Sequence, residues 1–90
     1  MNKPPPPTAA TIAYKEAGLQ LQLAMGIAYT GNPDADFASL LLAYNKGTAA
    51  LARIALEHGK DPEIQRIARQ VLETSVRQEE QLNAWGSVHP

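Results

Sequence analysis

Apolar residues recur along the chain at steps of three and four, and two polar breaks divide them: Gly31-Asn32-Pro33-Asp34 and His58-Gly59-Lys60-Asp61-Pro62-Glu63. In the second break Gly59 suits the left-handed position just past a helix end. Asp61 then reads as an N-cap, Pro62 as the first helical residue, and Glu63 favours the positive end of the helix dipole. Asn32 with Pro33, or alternatively Asp34, starts a helix in the same way. The middle helix is predicted from Asp34 to His58. Its main stripe is Phe37, Leu41, Tyr44, Thr48, Leu51 and Ala55, and the row Ala38, Leu42, Asn45, Ala49, Ala52 and Leu56 widens the buried face. A third helix is predicted from Pro62 to Trp85, stopped by Gly86. Its stripe is Ile64, Ile67 or Ala68, Val71, Ser75, Gln78, Leu82 and Trp85, opposite a solvated face of Arg66, Arg69, Glu73, Arg77 and Glu80. So short a linker between long helices makes them antiparallel.

The first segment is less regular. Leu19, Leu21, Leu23, Met25 and Ile27 alternate, as in a strand. Yet Ala, Gln, Leu and Met are good helix formers, β-branched residues are few, and a strand here would have no partner. A helix from Thr8 to Tyr29 is expected, buried on two sides. Ile12, Leu19, Leu23 and Ile27 form one row; Tyr14, Gly18, Leu21, Met25 and Ala28 form the other. The fold class is therefore all-α, an antiparallel bundle of three long helices.

Length and composition sharpen this outline. Ninety residues make one domain at most. Residues 1–7, with prolines at 4 to 7, read as an extended leader. Residues 8–86 read as one helical domain and 87–90 as a frayed tail. A core of that size is near the lower limit for folding alone, and with no cysteine no disulfide can help, so self-association is expected to complete it. Eight basic and nine acidic residues nearly cancel. With no basic stripe, no nucleic-acid partner is expected. No apolar run reaches the roughly 18 residues of a membrane span. No apolar stretch follows Lys3, so no signal peptide is visible, and the chain is expected to be either cytoplasmic or exported with its signal already removed.

Candidate chemistry is sparse. Gln22, Tyr44, Asn45, Ser75 and Gln78 are polar positions on otherwise apolar stripes. They suit a hydrogen-bonded core network, in which Tyr44 and Gln78, each interrupting a stripe on the antiparallel pair, are expected to meet; a small-molecule pocket between helices; or an oligomer interface or water. Besides Met1, the soft or imidazole ligands are Met25, His58 and His89. Met25 fits core packing, His58 fits the last turn of its helix, and His89 falls in the tail. No pair has metal-ligand spacing. Nothing points to an enzyme: there is no Gly-rich phosphate loop and no Ser with nearby His and Asp. Glu79 and Glu80 project about 100° apart on a helix, and the stem of Lys46 reaches solvent. No cofactor is expected from the residues.

From Leu21 to Trp85 the chain resembles the bacterial family called domain of unknown function 305. The matching residues are Tyr29-Thr30-Gly31-Asn32-Pro33-Asp34-Ala35-Asp36-Phe37-Ala38, Gly47 with Ala52, Gly59-Lys60-Asp61-Pro62-Glu63-Ile64, then Ala68 and Trp85. The resemblance implies a four-helix-bundle or ferritin-like fold, export to the periplasm or outside the cell after removal of a signal, and an association with copper. It also implies ligands that this chain lacks. The family's Met-Ile-Pro-His-His-Gln-Gly-Ala run is here Leu41-Leu42-Ala43-Tyr44-Asn45-Lys46-Gly47-Thr48. Its Met-His-x-x-Met run is Leu21-Gln22-Leu23-Ala24-Met25, where only Met25 survives. Gln78 and Leu82 stand where the third helix of the family carries Glu and Met, and Leu51 stands where Met is common. Leu fills the volume of Met without its sulfur, and amides are poor ligands for copper or zinc. The resemblance therefore implies a non-catalytic relative that has lost its metal site at Gln22, Met25, Tyr44, Asn45 and Gln78 and acts by self-association or through a protein partner. Two alternatives stay open: residual metal binding through Met25, His58 and His89, and an apolar ligand held between the helices.

Overall fold

The computed structural model describes residues 8–89 and contains three helices: α1 (Ala9–Ala24), α2 (Pro33–His58) and α3 (Pro62–Ser87). Among the described residues there is no strand. The chain is an all-α three-helix bundle, as the stripes predict. The expected leader, residues 1–7, lies outside the described residues.

Local chemistry sets the boundaries. Thr8 caps α1, its hydroxyl accepting from Thr11 N–H at 3.1 Å. Asn32 caps α2, its side-chain oxygen accepting from Asp34 N–H at 3.0 Å and Ala35 N–H at 3.2 Å, with Pro33 in the first turn. Asp61 caps α3 in the same way, through Glu63 N–H at 2.9 Å and Ile64 N–H at 3.0 Å. Each cap satisfies backbone donors that the first helical turn leaves open.

Three local expectations are corrected. Helix α1 stops at Ala24 rather than Tyr29. Gly26 lowers helix propensity there, and its N–H closes a tighter turn onto the Leu23 carbonyl at 3.2 Å. Gly59 is not left-handed: its φ is −72° and ψ 151°. It is needed for close approach instead, because a Cβ there would lie 2.5 Å from the Ala55 carbonyl oxygen. Gly31 is the described residue with positive φ, at 86°. Helix α3 continues through Gly86 to Ser87, where the expected tail should begin. The Ser87 hydroxyl donates to the Ala84 carbonyl at 2.8 Å, and the His89 ring stacks on Trp85 with centroids 4.3 Å apart.

Packing brings a larger correction. Helix α2 is central: it contacts both α1 and α3, and α1 and α3 do not contact each other. Asn45, Ala49 and Ala52 are the buried positions of α2, and Ala68 and Ser75 those of α3. On the α1 side a Cβ at Gly47 would lie 3.0 Å from Leu21 Cγ. Residues 45 and 47 project about 200° apart on a helix, so α3 and α1 lie on nearly opposite sides of α2. Helix α1, expected to be buried on two sides, therefore has no fully buried residue, and Ile12, Leu19 and Leu23 are exposed. The main predicted stripe of α2 lies at the edge of the α2–α3 seam, with Phe37 63% exposed. Small residues occupy the seam itself, which lets the backbones approach and keeps the aromatic rings out. For the same reason Ala68 is buried while Ile64 and Ile67 are exposed.

Candidate functional site: a polar seam between α2 and α3

The seam carries two levels of hydrogen bonding. Asn45, 4% exposed, donates from Nδ2 to Gln78 Oε1 at 2.9 Å. One turn along, Thr48 Oγ1 lies 2.9 Å from Ser75 Oγ and donates to the Asn45 carbonyl at 3.1 Å. A hydroxyl has one proton, so with Thr48 donating to the carbonyl it is Ser75 that donates to Thr48. The pairs 45–78 and 48–75 run in opposite senses, which is the antiparallel register. No buried side-chain nitrogen or oxygen among the described residues lacks a partner. A satisfied buried network of this kind rigidifies a core.

The positions singled out from the sequence divide into two groups. Asn45 and Gln78 come together, with Thr48 and Ser75 beside them. Tyr44 and Gln22 do not join them: Tyr44 is 50% exposed and Gln22 is exposed. The expected Tyr44–Gln78 pairing is replaced by Asn45–Gln78, because the buried side of α2 is centred on Asn45, Ala49 and Ala52. Met25 is half-buried as the C-cap of α1, a helix that does not contact α3. His58 ends α2 with Nε2 4.0 Å from Glu57 Oε2. His89 Nδ1 lies 2.8 Å from the Trp85 carbonyl oxygen. Among the described residues no three His, Cys, Asp or Glu side chains converge as a metal-binding group.

One polar feature was missed in the sequence. Asp36 ties the incoming loop to α2: Oδ1 accepts from the Thr30 N–H and the Thr30 hydroxyl, each at 2.9 Å, and Oδ2 accepts from Gly31 N–H at 3.3 Å. The Thr30 N–H does most to hold its carboxyl below the usual carboxylate value. Partial burial opposes this, and the Thr30 hydroxyl and Gly31 N–H add to the lowering. The signal available was an Asp in the first turn, six residues after a Thr-Gly pair. No helix of the described residues is long and apolar enough to cross a membrane. No protein-family model matches the chain, and comparison with curated proteins finds no match.

Proposed function

We propose that the chain is a non-catalytic helical scaffold, a relative of the domain of unknown function 305 family whose metal site has been replaced by hydrogen bonds, acting by self-association or through a protein partner. The Asn45–Gln78 amide pair supports this most directly. Both residues stand where the resembled family carries metal ligands, and the Asn45 amide nitrogen donates to the Gln78 amide oxygen. The donor set does not fit copper. A copper or zinc site needs several nitrogen, sulfur or anionic oxygen donors within about 2.0–2.3 Å. Here the set comprises the hydrogen-bonded amides of Asn45 and Gln78, an exposed phenol at Tyr44, an exposed amide at Gln22, and the thioether of Met25 at the end of a helix that does not contact α3.

Thermal melting with added copper tests the reading. A ligand that binds the folded state alone raises the melting point by mass action. No rise beyond that of a Met25→Leu variant is expected. A rise that needs Met25 would return the chain to metal binding. Weak stabilisation lost only when His58 or His89 is removed would be surface coordination and leaves the reading intact.

A further inference from the structure

The exposed side of α2 carries an unbroken seven-residue repeat. Asp34, Leu41, Thr48 and Ala55 fall at one position of the repeat, and Phe37, Tyr44, Leu51 and His58 at the other. On one flank lie Ala38, Asn45 and Ala52, facing α3; on the other lie Leu40, Gly47 and Ile54, the row that approaches α1 through Gly47. The repeat thus looks outward between α1 and α3, with Thr48 at its edge, where its hydroxyl meets Ser75 of α3. Phe37 and Tyr44 are exposed on it, and Leu41, Thr48, Leu51 and Ala55 are half-buried. Grooves of about 380 and 400 Å³ run beside it along α3, sharing Leu41 and Gln78. Of the residues that line them, Asp34 at one end is the charged one. The far side of α2 is polar, with Ser39, Lys46 and Arg53 exposed.

The order of residues along this row reads as its own complement. Turned end for end about residue 46, large meets small and acid meets base. Phe37 falls opposite Ala55, Tyr44 opposite Thr48, Leu41 opposite Leu51, and Asp34 opposite His58. Antiparallel coiled coils pair the two apolar positions of the repeat in this manner. We propose that this row is the contact between two copies of the chain, packed α2 against α2 in antiparallel about a twofold axis, with Asp34 of each copy meeting the partner's His58. The proposal rests on the reading of the chain as a protein that acts by association, and it names the partner.

The available area suits a dimer. From Asp34 to His58 the helix runs about 36 Å at 1.5 Å per residue. The helix itself, about 11 Å across, offers about 400 Å² per copy, and the inner edges of α1 and α3 on either side supply the rest of the roughly 800 Å² of a stable interface. The apolar edge of α1 is a poorer candidate. Ile12, Leu19 and Leu23 are exposed there, but Glu16 lies between them. An antiparallel pairing would set Glu16 against the partner's Leu19 and strand a carboxylate on an apolar surface.

Light scattering on the full chain at about 100 µM should give twice 9.7 kDa. Tyr44→Glu should raise the dimer dissociation constant by about 100-fold or more with unchanged helix content. Leu19→Glu should leave the dimer in place. Asp34→Lys should weaken it, and adding His58→Glu should restore it. Since the chain has no cysteine, mixing Phe37→Cys and Ala55→Cys chains should give the mixed disulfide in preference to either homodimer, which decides the register even if Tyr44→Glu fails to fold. A monomer at this concentration, or a dimer broken by Leu19→Glu and not by Tyr44→Glu, overturns the proposal. Copper added to the same samples separates the two readings. A Met25-dependent copper site on an intact dimer would sink the metal-lost reading alone; a copper-free monomer would sink the dimer alone.

Discussion

Asn45 and Gln78 stand or fall together. Asn45→Ala strips Gln78 of its partner inside a seam where both polar groups are satisfied. Gln78 is half-buried, so that change is expected to cost about 1 kcal/mol, the net worth of one hydrogen bond, and replacing both residues by Leu should cost less. Urea unfolding of the single and double variants measures the difference; equal losses would mean that the pair is not a unit. The sequence marked both residues as polar interruptions in apolar rows, but it assigned the wrong partner. Steps of three and four fit two neighbouring rows of α2 equally well, one through Tyr44 and one through Asn45. Side-chain size decided between them: Ala49, Ala52, Ala68 and Ser75 allow close approach, and Phe37 and Tyr44 do not. Periodicity gives the existence of a buried face, whereas its centre depends on what the facing helix can accept.

Helix ends were legible where a side chain caps its own backbone. Asp61 with Pro62 was plain in the sequence because cap, proline and acidic residue stand side by side. Asp61→Ala and Pro62→Gly should each destabilise by about 1 kcal/mol; unchanged melts for both would mean that this turn does not depend on its cap. The Asp36 clamp joins residues six apart across a loop, so its only signal was the spacing of Asp36 from Thr30-Gly31. Its folded carboxyl titrates lower than in the unfolded chain. The stabilisation is therefore present above the unfolded carboxylate value and is lost as pH falls through the lower, folded one. Asp36→Asn should destabilise at neutral pH, and the gap from the parent chain should close on acidification. A gap that stays constant with pH would remove the carboxylate from the explanation. Helix α1 was legible in type but not in extent, because its composition favours helix up to Gly26 and it packs on one neighbour instead of two. Gly47→Ala would press into the Leu21 side chain. Hydrogen exchange should then quicken in α1 while α3 stays protected; equal exchange throughout would contradict the packing of α1 on this glycine.

For the whole molecule, the three helices spread α1–α2–α3 with a shortest dimension of 17 Å. No large side chain among the described residues is fully buried, and the buried apolar residues are alanines. A monomer of this form leaves aromatic and aliphatic surface open. All-α architecture and the antiparallel α2–α3 pair followed from the stripes and breaks; the spread arrangement did not, because the sequence does not say whether α1 packs on one neighbour or on two. The central proposal, a scaffold with its metal site replaced, is tested most directly by a calorimetric copper titration. It compares the native chain with a Tyr44→His, Asn45→His, Gln78→Glu variant. The expected result is no stoichiometric binding to the native chain and recovered affinity in the variant. Tight one-to-one binding to the native chain, lost in Met25→Leu, would contradict it.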